Sequence, residues 1–203
     1  MSDILKIEPI DNWLKKNNWS FYNHQIETVK LSENGFDVLL VAPTGGGKTL
    51  AGFLPSLKDL INNRPKKSKL HTLYISPLKA LANDIDRNLK QPLEEMMSLA
   101  EKLEMDVPDI KVAVRSGDTS LKERARMVRK PPHILITTPE SLGLLLSSKK
   151  FRDHFRKTRY IILDEIHDLA NNKRGTHLSL SVERLAEIID CLLYTSPSPR
   201  DRG

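Results

Sequence analysis

The chain has 203 residues, enough for one large α/β domain or one domain with an incomplete neighbour, and 39% of them are apolar, which is ample for a packed core. Its net charge of +6 favours a polyanionic partner, although solubility alone explains the same balance. No apolar run approaches the roughly 20 residues of a membrane span. The first residues lack the apolar core of a secretory signal, and the one cysteine, Cys191, excludes an internal disulfide, so a cytoplasmic location is expected.

Helical patterns over 11–16 and 22–32 precede an apolar run at 38–41, read as a first buried strand, and a helix over 49–62 follows. Further along, the pattern predicts a strand at 73–75, helices at 78–88 and 93–103, a strand at 112–114 and a helix at 120–128. The series ends with strand 134–136, helix 139–147, strand 160–163 and helix 178–189, the last carrying Leu178, Val182, Leu185 and Ile189 on one face. Residues 149–157 mix cations with aromatics and read as a solvated basic helix with two core phenylalanines. Loops are expected at 62–67, 107–109 and 130–132. Strands alternating with helices predict βαβ units and a parallel sheet. Continuously apolar strands place helices on both its faces.

The strand at 38–41 runs into Ala42-Pro43-Thr44-Gly45-Gly46-Gly47-Lys48-Thr49. A strand, a glycine-rich turn, then a lysine and a hydroxyl at a helix start let backbone N–H groups surround phosphate oxygens. Thr44, Gly45, Gly46 and Gly47 would form the cradle, Lys48 would reach the β and γ phosphates, and Thr49 would offer its hydroxyl to Mg²⁺. Alone, the glycines could be a flexible turn. The strand at 160–163 ends in Asp164-Glu165-Ile166-His167, which supplies an anchor for the metal in Asp164 and a carboxylate to polarise the attacking water in Glu165. The pair reads as a nucleoside triphosphatase site that uses Mg²⁺.

Ligands of an open parallel sheet bind at the carboxyl ends of its strands. Three other strands end there in polar sequence: Ser76-Pro77-Leu78-Lys79, Arg115-Ser116-Gly117-Asp118-Thr119, and Thr137-Thr138-Pro139-Glu140. Each could be ordinary helix capping. Together, on the same edge as the glycine turn, Pro77, Lys79, Arg115, Gly117, Asp118, Thr138, Pro139 and Glu140 suit phosphodiester contacts, which position a strand without reading its bases.

The order of these motifs resembles the first RecA-like domain of a superfamily 2 helicase, and the large helicase-related (Lhr) family in particular. The strings that carry the resemblance are Tyr74-Ile75-Ser76-Pro77-Leu78-Lys79-Ala80-Leu81, Gly117-Asp118-Thr119, the run from Pro131 to Leu142, and Lys173-Arg174-Gly175-Thr176-His177-Leu178. The similarity spans about 19–189. Ala42 departs from the general pattern, which has glycine there, as helicases commonly do. The resemblance implies a DEAD/DEAH-like ATP-dependent enzyme that moves on single-stranded DNA, opens duplexes or DNA–RNA hybrids, and serves genome repair. It gives Gln25 the look of an adenine-recognition residue, whose amide donates and accepts at once, and this reading is favoured over a capping or surface glutamine. It gives His167 the role of coupling the ATP site to strand opening, against that of a hydrogen-bonded histidine at a strand–helix junction.

Such helicases also carry a Ser-Ala-Thr strand and a second RecA-like domain whose arginines reach the γ-phosphate. Neither is found in this sequence. An arginine finger is worth about 10³ to 10⁵ in rate, so the chain alone is expected to bind nucleotide better than it hydrolyses it and not to act as a motor. The expected organisation is one helicase ATP-binding domain over 1–190, with an adenine-recognition region in 1–34. Residues 191–203, with two prolines and no periodicity, resemble a translated sequencing adaptor. By resemblance, a strand belongs between the 38–41 strand and the Asp164 strand. A second reading is an ATP-gated nucleic-acid clamp without motor activity. A P-loop kinase is disfavoured by the Asp-Glu-Ile-His strand end and the polar edge.

Overall fold

The computed structural model describes residues 7–43, 45–64, 69–77, 89–169 and 173–189. The buried run at Thr72–Ile75 (β1) lies at the middle of a four-stranded sheet with Val112–Arg115 (β2), Ile134–Thr137 (β3) and Tyr160–Leu163 (β4), in the order β2-β3-β1-β4. Every pairing is parallel, as the alternating pattern predicts.

Alternation along the strands sends successive side chains to opposite faces, and each face has its own apolar layer. One buries Tyr74, Ile134 and Ile136 against Glu8–Lys16 (α1), Asn23–Glu33 (α2), Lys48–Asn63 (α3) and Gln91–Lys102 (α4), through Trp13, Val29, Phe53, Leu57 and Met96. The other buries Leu73, Ile75 and Leu135 against Leu121–Arg129 (α5), Pro139–Ser147 (α6), Lys149–Arg152 (α7) and Lys173–Ile188 (α9), through Met127, Leu142, Phe151 and Leu185. A short helix, Ile166–Leu169 (α8), follows β4. The basic segment behaves as expected: α7 and the 3₁₀ turn Asp153–Lys157 leave their cations outside while Phe151 and Phe155 are buried.

Local chemistry starts the helices. Ser120 and Glu123 form a reciprocal cap on α5, with Glu123 N–H donating to Ser120 Oγ and Ser120 N–H to Glu123 Oε2. Pro139 sits in the first turn of α6, after the cap Thr138. No helix of the described residues is long and apolar enough to cross a membrane.

One expected strand is not formed. Residues 38–41 are irregular, with Leu39 79% and Val41 87% exposed. A strand needs a ladder to join, and among the described residues β4 is an edge whose outer side meets no neighbour. Two helices start earlier than their apolar patterns suggest, α1 at Glu8 and α9 at Lys173. The expected helix at 78–88, with Lys79, lies outside the described residues, as do Thr44 and the tail 191–203.

Candidate functional site

The parallel register brings Arg115, Thr137, Ile75 and Leu163 level across the sheet. Ser116, Thr138, Ser76 and Asp164 therefore follow on one edge, and the amides of Ser76 and Asp164 extend the ladder by donating to Thr137 O and Ile75 O at 3.1 and 2.9 Å.

The glycine turn is built from left-handed backbone. Gly45 has φ +79° and Gly47 φ +71°, a region that side chains with a Cβ avoid. Gly46 N–H closes the turn on Pro43 O at 3.0 Å, and Gly47 caps α3. Lys48 Nζ donates to Ala42 O at 2.8 Å and Pro43 O at 3.1 Å, so its ammonium lies over the carbonyls of its own turn. Thr49, in the first turn of α3, is half-buried. The turn, the open start of a helix and the lysine fit a triphosphate.

Gln25 is 2% exposed. Its Oε1 accepts from Tyr22 N–H at 3.0 Å, and its Nε2 donates to Gly47 O at 3.2 Å. The side chain therefore caps α2 and ties that helix to the glycine turn. Each amide atom has one further hydrogen-bonding valence.

Asp164 follows β4 and holds its carboxylate through two donors, the Tyr74 phenol on Oδ2 and Glu165 N–H on Oδ1 at 3.0 Å. Tyr74 stacks on Phe53 of α3 with ring centroids 5.0 Å apart, so the helix that begins at the glycine turn also braces the phenol that orients Asp164. Gly52 of α3 lies against Ile162, where an added methyl would meet Ile162 Cγ2 at 3.3 Å. Glu165 has φ +50°, an unusual backbone for a residue with a side chain. Its Oε2 is 3.2 Å from Nε2 of His167, whose side chain is 77% exposed.

On the rest of the edge, Thr138 Oγ1 accepts from Ser141 N–H at 3.3 Å, Pro139 is buried, and Glu140 points outward. Burial alone would raise the Glu140 carboxyl, but hydrogen bonds from Arg174, its own backbone and Thr138 hold it below the usual value. Gly117 and Asp118 are exposed on a loop fastened by Arg124, which donates to Thr119 O and Gly117 O, both at 2.7 Å. Thr119 Oγ1 accepts from Ser116 N–H at 2.9 Å and closes the turn.

Arg115 is a correction. It was expected on the open edge, but it is 8% exposed, donates to Ser116 O, and lines a cavity of about 130 Å³ with Arg124, Met127, Leu145 and Phe151. Strand alternation puts it on the same face as Ala113, beneath α5 and α6. Burial, then repulsion from Arg124, lowers its pKa.

Three residues that organise the site escaped the sequence reading. Tyr74 was hidden in an apolar run, and nothing in its spacing announces a carboxylate partner. Arg124 looked like one more cation of a surface helix. Arg174 was quoted only as part of a family string, yet it donates from Nε to Glu140 Oε1 at 2.6 Å and from Nη2 to Pro77 O at 2.8 Å.

Comparison with known proteins agrees with this geometry. The family model described as DEAD/DEAH box helicase matches residues 22–201. The ATP-dependent helicase Lhr-Core of Methanocaldococcus jannaschii is 46% identical over 184 residues, which is 89% of this chain and 22% of that protein. The Lhr-Core protein 2 of Thermococcus barophilus is also 46% identical, covering 89% of this chain and 21% of its own length. Among solved structures, the Mycobacterium smegmatis helicase Lhr bound to ssDNA and AMP-PNP superposes with a TM-score of 0.81 at 41% identity, over 90% of this chain and 23% of that one. The chain thus spans about a fifth of the length of the curated relatives it matches. Its parallel sheet, clad on both faces, is the RecA-like fold of those enzymes, and the chain belongs to the DEAD/DEAH box helicase family, with strong similarity to the Lhr helicases.

Proposed function

We propose that this chain is the nucleotide- and nucleic-acid-binding domain of an ATP-dependent helicase or translocase of the Lhr type, acting on DNA or DNA–RNA hybrids in DNA repair. The observation that carries the reading is a pair of features joined through α3: a left-handed glycine turn bearing Lys48, and Asp164, which follows β4 and is held by Tyr74. The start of α3 and the amides of Gly45 to Gly47 hold the triphosphate. Lys48 gives up the carbonyls of Ala42 and Pro43 for phosphate oxygens, which carry full negative charge and are the stronger acceptors. Thr49 and Asp164 would hold Mg²⁺, which when bound would supply positive charge to offset that of the phosphates. Glu165 accepts the proton of the attacking water, and His167 at its carboxylate links that group to α8 and the segment that follows.

A single strand runs along the ends of β1, β2 and β3, over Pro77, the loop at Gly117 and Asp118, and the turn Thr138-Pro139-Glu140, meeting backbone amides and helix starts. Gln25 adds an adenine contact with its remaining valences.

Calorimetry of ATP·Mg²⁺ with the wild type, Lys48→Ala and Glu165→Gln tests the assignment. Lys48→Ala is expected to lose binding, while Glu165→Gln keeps it because that carboxylate acts on water. Equal ATP affinity in the wild type and Lys48→Ala would show that the glycine turn is not the phosphate site.

A further inference from the structure

Arg174 lies in the first turn of α9, yet two bonds of its guanidinium reach other parts of the proposed nucleic-acid edge. Nε donates to Glu140 Oε1 at 2.6 Å in the first turn of α6, after β3. Nη2 donates to Pro77 O at 2.8 Å, in the loop after β1. One planar group thus fixes the spacing between two loops that come from neighbouring strands, and the rigid fork of a guanidinium suits that task where the point charge of a lysine does not. Burial would raise the Glu140 carboxyl, and the bond and charge of Arg174 are among the influences that lower it instead.

The position of α9 gives the clamp a second connection. Three residues beyond Arg174, His177 lies on Gly143 of α6 so closely that an added methyl there would meet its Cε1 at 2.6 Å. Ser181 Oγ, one turn on, donates to His177 O at 2.8 Å on that same face of α9. α9 and α6 are therefore locked together by packing, with Arg174 at the end nearest the strand edge. In the chain, α9 follows α8, which carries His167 against Glu165.

We propose that Arg174 is a positioning residue: it holds the Pro77 loop and the Thr138-Pro139-Glu140 turn at the separation a phosphodiester strand requires, and so sets nucleic-acid affinity without touching a phosphate. The inference rests on the nucleic-acid reading of this edge.

Two measurements on the full chain separate the clamp from that reading. Hydrogen exchange needs no ligand. In Arg174→Ala the amides of Ser141 and Leu142, which bond to Thr138 in the first turn of α6, exchange about fivefold faster or more, and Arg174→Lys lies between the two. The second measurement is anisotropy with a labelled oligo-dT strand over a salt series. Arg174→Ala weakens binding by about fivefold, with the slope of log affinity against log salt unchanged and ATP·Mg²⁺ affinity unchanged.

Unaltered exchange in α6 would overturn the clamp. So would unaltered oligo-dT affinity in a variant of a wild type that binds. A slope reduced by about 0.7 would also overturn it, because it would mean that Arg174 neutralises a phosphate itself. A wild type with no salt-sensitive binding of oligo-dT would instead sink the nucleic-acid reading, and the exchange result would decide the clamp by itself.

Discussion

Gly45 and Gly47 share a left-handed backbone but differ in what surrounds them, and that difference predicts two distinct costs for the same substitution. At Gly45, with φ +79°, a Cβ meets nothing within 4 Å. Gly45→Ala should then cost only the backbone term, about 1 kcal/mol. At Gly47, with φ +71°, a Cβ falls 2.7 Å from Gln25 Nε2 and 3.5 Å from the Tyr22 ring. The amide has no easy retreat: it is buried, with Oε1 engaged by Tyr22 N–H and Nε2 by Gly47 O. Displacing it forfeits one or both bonds at about 1 kcal/mol each, so Gly47→Ala should cost about 2–3 kcal/mol. Urea unfolding gives both values, and a Gln25→Ala background supplies the cycle, in which the extra cost at Gly47 should vanish. Equal losses for the two glycine variants, to within about 0.5 kcal/mol, would refute the Gln25 bridge as the reason Gly47 is glycine.

Three further outcomes follow from the site and its supports. His133 is buried, its Nδ1 accepts from Lys111 N–H at 2.9 Å, and its pKa is lowered by burial, with the charges of Lys111 and His71 adding to that and Asp109 opposing it. The unfolded chain therefore binds the proton first, and stability is full above about pH 6.5 and falls as pH drops below it; His133→Asn should flatten that fall in urea midpoints measured from pH 7.5 to pH 5, and an identical fall would rule His133 out. Arg115→Ala should lower the melting temperature while leaving the salt slope of oligo-dT binding unchanged, because the guanidinium is buried beneath α5 and α6; a slope reduced by about 0.7 would return Arg115 to the phosphate track. Glu165→Gly should raise stability by about 0.5–1 kcal/mol through relief of the left-handed backbone, while ATP turnover is lost; a destabilised variant would show that φ +50° at Glu165 carries no strain.

Most of the sheet was legible because parallel strands buried on both faces are continuously apolar, and four such runs became β1 to β4 with boundaries within about one residue of those expected. The fifth run shows what apolarity leaves out. Residues 38–41 have the composition of a strand, but a strand exists only through the ladder it joins, and no described strand pairs with them. The start of α9 was misplaced for a related reason. Its first turn carries Lys173 and Arg174 where an apolar stripe would mark a helix, since that turn faces the strand edge and not the core.

The chemistry of the site was legible wherever it depends on backbone, since glycines that must be left-handed and residues that must follow a strand leave a pattern in the sequence. Gly45 and Gly47 adopt the left-handed backbone that a tight glycine turn needs, and Asp164 and Thr138 directly follow their strands. What spacing does not encode is the direction of a long side chain. Arg115 and Arg174 are equal in sequence terms, a cation beside a polar motif, yet strand alternation turns the first into the interior while a helix start holds the second across two loops. Glu165 joins both lessons: its place after Asp164 was read from the motif, but the left-handed backbone that aims its carboxylate emerges only in three dimensions. Such strain persists only where surrounding contacts impose it. Here Glu165 N–H is bound to Asp164 Oδ1 and Asp164 in turn to Tyr74, so the carboxylate proposed to polarise water is set by the same bonds that orient the proposed metal anchor.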